Sequence, residues 1–414
     1  MGVENNIPEG WKEVPLKEIL LKRNQGVNTT TEKVIYSTKG HRVVKAQDIL
    51  ERKINFSVSD YVDRQEYARL STHVKPKLND ILYSNIGSKM GNAAKVKSDF
   101  QFIIAWNVLR LQINTDEAEV DFLVQLLNSK TIRRAICSLN SSSTMPFVSG
   151  GVIELFEINL PPLPEQKAIA KVLTAFDDKI ELLKAQNKTL EAMAQTIFKE
   201  WFGKHQIGDE LPEGWSLVKL GDILETYLGG TPSKSKPEYW ENGSIPWINS
   251  GEVNNFRITK GTTLITKLGL EKSATKLLPK GTVVIAITGA TLGQYSILEI
   301  ESCFNQSVVG IVGNNKIKSS FIYFWIANNI HAIIRNATGG AQQHINKENV
   351  NSFEMIIPSD EILNKFQSAV EPMMDKISNN EFEIQSLTKT RDTLLPKLMS
   401  GQVRVNNIKQ TIDA

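Results

Sequence analysis

Cysteine is almost missing from this chain: Cys137 and Cys303 stand far apart, with no second pair to bond or to complete a metal set. That excludes a disulfide framework and a cysteine-based zinc site. Long apolar runs are missing too, and no stretch approaches the roughly 20 residues that a membrane helix needs. The opening MGVENNIPEGW has no apolar core for a signal peptide, and Asn6 stands where a myristoylation signal takes serine or threonine. The expectation is a cytoplasmic chain with no membrane partner. Neither sign of charge dominates: 48 lysines and arginines against 45 acids leave a formal charge of +3. That balance permits nucleic acid as a partner without identifying it. His41, His73, His205, His331 and His344 fall at scattered spacings with no paired carboxylate, so no metal site and no catalytic triad is predicted. Gly229-Gly230-Thr231-Pro232-Ser233-Lys234-Ser235 has the look of a phosphate loop. It lacks the second glycine before the lysine, however, and follows no convincing buried strand.

What is present is an ordinary globular composition, 41% hydrophobic and 22% charged. At 414 residues the chain is too long for one core and implies two or three domains. It also begins twice. Pro8, Gly10, Trp11, Leu16, Ile19 and Leu20 recur 204 residues on as Pro212, Gly214, Trp215, Leu220, Ile223 and Leu224. Asp80 to Gly91 (DILYSNIGSKMG) matches Thr282 to Gly293 (TVVIAITGATLG) at an offset of 202, each an apolar strand run closed by Gly-x-x-x-Gly. Phe156, Pro161 and Asp178-Lys179-Ile180 return at an offset of 197 as Phe353, Pro358 and Asp375-Lys376-Ile377. Three matches in order imply two copies of one unit of about 200 residues.

Each copy opens with a mixed globule and closes with a long helix. Strand runs are predicted at Ile103 to Ile113, Thr282 to Ile287 and Ser307 to Val312, and helices at Phe122 to Leu139 and Phe321 to Ile334. From Pro164, a favourable first helical residue, the chain runs to Phe202 without another proline or glycine, about 58 Å of helix. Ile169, Leu173, Phe176, Ile180, Leu183, Asn187, Leu190, Ala194, Ile197 and Trp201 alternate spacings of four and three, the period of a coiled-coil seam. Phe366, Val370, Met373, Ile377, Asn380, Ile384, Leu387, Arg391, Leu394 and Leu398 repeat it. Antiparallel pairing puts the sixth position of one against the fifth of the other, so Asn187 meets Asn380 and each amide satisfies its partner. The same register sets Arg391 opposite Phe176, where the guanidinium must snorkel. Pro372 is expected to kink the second helix, and Pro396 to end or bend its last turn.

The resulting expectation is an α+β protein with a pseudo-twofold internal repeat: two homologous globules separated by two long helices that form an antiparallel coiled coil. The predicted boundaries are 1–155 for the first globule, 156–203 for the central helix, 204–352 for the second globule, 353–402 for the C-terminal helix and 403–414 for a tail.

Asn159-Leu-Pro-Pro-Leu-Pro-Glu-Gln166 leads into a long helix carrying Phe176-Asp-Asp-Lys-Ile180, and Leu394-Leu-Pro-Lys-Leu-Met-Ser-Gly401 follows the other. With these motifs and the duplication, the chain resembles, over nearly its whole length, the DNA-specificity subunit of type I restriction-modification systems. In the second copy Ile357-Pro358-Ser359-Asp360-Glu361 replaces the fuller proline motif. The resemblance implies two target recognition domains, each reading one part of a split, asymmetric double-stranded DNA sequence, held apart by the helical pair. It implies two methyltransferase subunits and restriction/translocase subunits as partners. S-adenosylmethionine, ATP and Mg would sit on those partners and no cofactor on this chain. Consistently, the Asn/Asp-Pro-Pro-aromatic motif of an amino-methyltransferase is absent, because Asn159 is followed by Leu160 and Pro162 by Leu163. A chain that only scaffolds other proteins and never touches DNA is the competing reading.

Base reading needs polar side chains on loops that the fold aims at a groove. Three loop pairs qualify: Asn24 to Arg42 with Gly229 to Trp247, Asn85 to Asn92 with Thr288 to Gln294, and Asn140 to Phe147 with Asn336 to His344. From these the candidate DNA-binding residues are Lys39, Arg42, Ser88, Lys89, Asn92, Thr144, Lys234, Lys236, Thr291, Gln294, Gln342 and Gln343. Lys89, Thr291 and Gln294 lead, because glycines flanking a turn let backbone approach phosphate closely. Trp11 and Trp215 are assigned to packing.

Overall fold

A computed structural model describes residues 7–50, 52–58, 60–140, 145–335 and 344–405. The chain divides into two compact units, unit 1 comprising Met1–Lys179 with Leu387–Ala414, and unit 2 comprising Ile180–Ser386. The unit boundary therefore falls inside both long helices rather than at their ends.

Unit 1 contains strands β1 (Lys12–Pro15), β2 (Leu20–Gln25), β3 (His41–Val44), β4 (Ile49–Leu50), β5 (Lys53–Ile54), β6 (Asp60–Val62), β7 (Ile81–Ser84), β8 (Ala93–Lys95), β9 (Phe102–Ile104), β10 (Val108–Ile113) and β11 (Glu157–Leu160). Its short helices are α1 (Arg64–Arg69), α2 (Val120–Asn128), α3 (Lys130–Ser138) and α4 (Gly150–Glu154), and it takes the first half of α5 (Leu163–Phe202). A four-stranded sheet runs β2-β10-β7-β8, a three-stranded one β6-β3-β9, and β1 pairs with β11.

Unit 2 repeats this plan with β12 (Ser216–Lys219), β13 (Glu225–Leu228), β14 (Ile245–Ile248), β15 (Thr263–Ile265), β16 (Val283–Ala286), β17 (Tyr295–Ile297), β18 (Cys303–Phe304), β19 (Val308–Val312) and β20 (Glu354–Ile357). Helices α6 (Leu220–Ile223), α7 (Lys267–Glu271), α8 (Ser319–Ile334) and α9 (Lys347–Asn351) precede α10 (Asp360–Met399). Its sheets run β13-β19-β16-β17 and β15-β14-β18, with β12 on β20, so each strand of unit 2 holds the place of its counterpart in unit 1. The parallel strand pairing recurs as well, β3 with β9 and β14 with β18. Among the described residues, the β4-β5 hairpin has no counterpart strand pair in unit 2.

The apolar runs are continuous, not alternating, because the four-stranded sheets are covered on both faces. Ile81 and Tyr83 of β7 pack toward α2, while Leu82 packs into a second core with β3 and β9. Val283 and Ile285 divide from Val284 and Ala286 in the same way. Burial of such a side chain contributes about 1.5–3 kcal/mol.

The two long helices run antiparallel within each unit. In unit 2, Asn380 Nδ2 donates to Asn187 Oδ1 at 2.7 Å and to Gln186 Oε1 at 2.9 Å, and Asn187 Nδ2 donates to Glu381 Oε1 at 2.7 Å. In unit 1, Arg391 Nη1 lies 2.6 Å from Asp177 Oδ1 and Nη2 2.8 Å from Asp392 Oδ1, so the guanidinium expected to snorkel past Phe176 is neutralised by two carboxylates. Gln125 Nε2 donates to the same Asp177 at 2.6 Å, tying α2 to the pair.

Several expectations need correction. The helix predicted at Phe122 to Leu139 breaks at Ser129, which leaves helical backbone and caps α3 through Ile132 N–H. The run Ile103 to Ile113 is two strands in different sheets, separated by a turn in which Val108 N–H donates to Ala105 O. At the end of α5 the seam moves from Ile197 and Trp201 to Phe198 and Phe202, because these two rings enter the unit 2 core against Phe321 and Phe366; Trp201 is 38% exposed. In α10 it moves from Leu394 to Leu395. Helix α10 runs on past Pro372 and closes at Met399, one turn beyond Pro396 and just before Gly401 with φ of +69°.

A buried glutamine starts both helices. Gln166 accepts from Glu119 N–H at 2.8 Å and donates to Glu117 O and Pro161 O at 3.1 and 2.8 Å, holding the start of α2. Gln367 accepts from Lys318 N–H at 2.7 Å and donates to Lys316 O at 3.1 Å, holding the start of α8. Measured from the helix starts at Leu163 and Asp360, Gln367 sits one turn further along than Gln166, on the same helical face. Among the described residues no helix is long and apolar enough to cross a membrane.

Candidate nucleic-acid interface

The repeated Gly-x-x-x-Gly segment closes the hairpin of the central strand in each unit by one hydrogen-bond pattern. Gly91 N–H donates to Ser84 O and Ser84 N–H to Asn92 O, both at 2.8 Å. Gly293 donates to Ala286 O at 2.9 Å and Ala286 to Gln294 O at 2.8 Å. All four glycines lie at positive φ, Gly87 and Gly91 at +90°, Gly289 at +63° and Gly293 at +82°, a backbone that other residues adopt only with strain. A side chain at Gly91 would also strike Arg133 at 2.6 Å.

Other loops converge on this turn. In unit 1 Gly87 N–H donates to Pro146 O at 2.8 Å and Val148 N–H to Asn85 O at 3.1 Å, and Gln25 Nε2 donates to Asn85 Oδ1 at 3.2 Å. In unit 2 Ile345 N–H donates to Ile287 O at 3.0 Å and Thr288 bridges His344. At the centre of each group is a turn the sequence reading took for strand or left unassigned. Gln25 donates to Trp106 O, Asn85 N–H to Asn107 O at 3.3 Å, and Trp106 is 49% exposed. In unit 2 Thr231 Oγ1 donates to Gln306 Oε1 at 2.5 Å, Ile287 N–H donates to Ser307 O at 2.9 Å, and Gln306 is exposed. Trp106 and Gln306 thus occupy corresponding positions, each just before the strand that follows. The one available signal was a polar break, Trp106-Asn107 and Asn305-Gln306-Ser307, inside an apolar run.

The predicted residues fare unequally. Lys39, Ser88, Lys89 and Lys234 are exposed. Lys236 is exposed and its Nζ lies 3.2 Å from Tyr239 OH. Arg42 is half-buried, its guanidinium 5.3 Å from the Tyr61 ring centre and 5.8 Å from that of Phe56. Asn92 is buried, its Nδ2 donates to Ile49 O at 2.7 Å and so braces β4, and it stands at the wall of the cleft described below. Thr291 Oγ1 is turned back onto Thr288 O at 3.1 Å, and Gln294 is half-buried with a buried Oε1 that accepts no hydrogen bond. Gly229 and Gly230 serve close packing: an added side chain would meet Asn305 O at 2.1 Å or Thr275 N at 2.5 Å. Thr144, Gln342 and Gln343 lie outside the described residues.

Beside the turn, unit 1 holds a cleft of about 1100 Å³. Arg52 and Lys53 of the β4-β5 hairpin, Lys89 of the turn, Lys130 and Arg133 of α3, and the ion-paired Arg391 line it. The sequence reading found only Lys89 of these. Arg133 also lies near Tyr83 and Cys137, where burial pushes the phenol and the thiol up and the guanidinium draws both back down. No group of three or more His, Cys, Asp or Glu among the described residues is arranged to hold a metal. The arrangement offers loops, amides and cations.

The sequence matches the type I restriction modification DNA specificity domain twice, over residues 8–192 and 212–393. The chain is similar to the type I restriction enzyme MjaIX specificity subunit of Methanocaldococcus jannaschii, 29% identical over 72% of each chain. It is also similar to the type I restriction enzyme HindI specificity subunit of Haemophilus influenzae, 25% identical over 95% of this chain and 99% of that one. In fold it resembles the type I restriction-modification S subunit from M. genitalium, with a TM-score of 0.61 at 18% identity, covering 96% of this chain and 98% of that one.

Proposed function

We propose a division of labour that proceeds from one fact: the chain belongs to the type I restriction-modification DNA specificity family. It is a specificity subunit whose work is recognition of a DNA target. Its relatives are specificity subunits, and we assign no catalytic step to this chain. Unit 1 and unit 2 each read one part of a split double-stranded sequence. The observation that carries this is the turn built twice with one hydrogen-bond pattern and different residues, Asn85-Ile-Gly-Ser-Lys-Met-Gly-Asn92 against Ile287-Thr-Gly-Ala-Thr-Leu-Gly-Gln294. A repeated frame with unlike side chains reads unlike bases, so the target is asymmetric.

Thr291 and Gln294 act on bases from the unit 2 turn, with Trp106 and Gln306 beside the two turns, while Lys89 acts on phosphate from the unit 1 turn; an exposed glutamine amide pairs with adenine N6 and N7, and an indole packs on a base or a thymine methyl. Lys39, Lys234 and Lys236 hold phosphate. The long helices set the spacing of the two half-sites and dock two methyltransferase subunits, which methylate adenine with S-adenosylmethionine. Restriction/translocase subunits using ATP and Mg join the complex, which works in the cytoplasm. Mapping methylated adenines across a genome with and without this chain tests the reading. A bipartite asymmetric motif that disappears with the chain is expected; methylation that is unchanged by its removal overturns the proposal.

A further inference from the structure

We propose that unit 1 carries a phosphate grip that unit 2 does not reproduce at the corresponding place, so that non-specific affinity and its salt dependence are borne unequally by the two units. This rests on the DNA-recognition reading above.

Three segments far apart in sequence bring cations to one cleft: the β4-β5 hairpin, the Gly-x-x-x-Gly turn, and the first turn and a half of α3. Lys89 and Lys130 are exposed and Arg133 is half-buried, and among the described residues none of the three has an acidic partner. Arg391, the other lining cation on α10, is held by Asp177 and Asp392 and is not counted. Ser129, Lys130 and Thr131 also turn the start of α3 toward the cleft, which adds a partial positive charge to the side-chain cations. A cavity of about 1100 Å³ with this lining suits a stretch of sugar-phosphate backbone.

Unit 2 builds the same turn with other residues. Thr291 stands where unit 1 has Lys89. Where Gly91 packs on Arg133, Gly293 packs on Ile330 and Ile334, and the cationic hairpin has no counterpart strand pair among the described residues. Beside the turn, an arginine in one copy is replaced by two isoleucines in the other. Contacts to phosphate position a duplex without reading it, so the grip anchors the complex through unit 1 whatever the sequence.

The test uses the full chain assembled with methyltransferase subunits, binding a duplex that carries the mapped target and a second duplex that lacks it, between 50 and 200 mM salt. Each phosphate contact removed lowers the slope of log affinity against log salt by about 0.9, which makes the affinity loss over that range about 3.5-fold smaller. Lys89→Gln, Lys130→Gln and Arg133→Gln should each do this on both duplexes alike, with an unchanged methylated motif. Thr291→Ala should leave the slope as it was. If Arg133→Gln does not fold, the two exposed lysines carry the test alone. An unchanged slope in the lysine variants overturns the grip, as does a loss confined to the target duplex. Absence of any target-dependent binding by the native complex would instead overturn the DNA-recognition reading, and the slope on the second duplex would still judge the grip.

Discussion

Replacing Asn187 with leucine tests whether the central amide pair fixes how the long helices meet within unit 2. The change deletes two bonds of 2.7 Å each, from Asn380 Nδ2 to Asn187 Oδ1 and from Asn187 Nδ2 to Glu381 Oε1. Asn380 is fully buried and its Oδ1 already has no partner, so after the change it keeps only the bond to Gln186. Leaving a buried amide under-satisfied costs about 1–3 kcal/mol. A buried leucine returns a comparable amount, about 1.5–3 kcal/mol, only among apolar neighbours; here it would face an amide and a carboxylate, and most of that gain is lost. The net expectation is a loss of about 1–2 kcal/mol, a fall of about 2–8 °C in the unfolding midpoint of a unit this size. The double variant Asn187→Leu/Asn380→Leu removes both amides and should regain native stability or exceed it. What it should lose is register, because leucine pairs equally with a leucine one heptad away. Calorimetry reads the first effect, and spin labels at the exposed positions Lys188 and Asn379 read the second as a broadened distance. A single variant that melts at or above the native midpoint, or a double variant with one narrow distance, refutes the reasoning.

Gln166→Leu removes three hydrogen bonds, those to Glu119 N–H and Glu117 O at the start of α2 and to Pro161 O before α5, and should cost about 1–3 kcal/mol; Gln367→Leu removes two bonds at the start of α8 and should act likewise on unit 2. A melting midpoint within a degree of the native one in either variant would contradict this. Glu66 is buried, and donation from Arg69 holds its carboxyl below the usual carboxylate range, with burial opposing and Ile35 N–H assisting. Because the folded value is the lowered one, this contribution is complete above the unfolded value of 4.5 and is lost as pH falls through the folded value. The midpoint of unit 1 should therefore fall as pH drops below that unfolded value, and Glu66→Gln should flatten that fall; equal slopes in the two proteins would count against it.

The duplication, the antiparallel helical pair and the facing asparagines were legible because each is a periodic or repeated pattern along the chain. Where a pattern was read past its local support, it slipped. The seam drifts to Phe198 and Phe202 because these rings serve a globule core as well as the coil, and the runs predicted as single elements end at polar breaks, Asn128-Ser129-Lys130 and Trp106-Asn107, that the reading carried across. By itself the sequence determined that there are two like units and how their helices align, since spacing alone decides which residues share a face. Only the tertiary structure decided that Arg52, Lys89, Lys130 and Arg133 line one cleft and that Trp106 and Gln306 stand amid the converging loops. These groups come from separate elements, and charge convergence depends on long-range packing that no local spacing encodes.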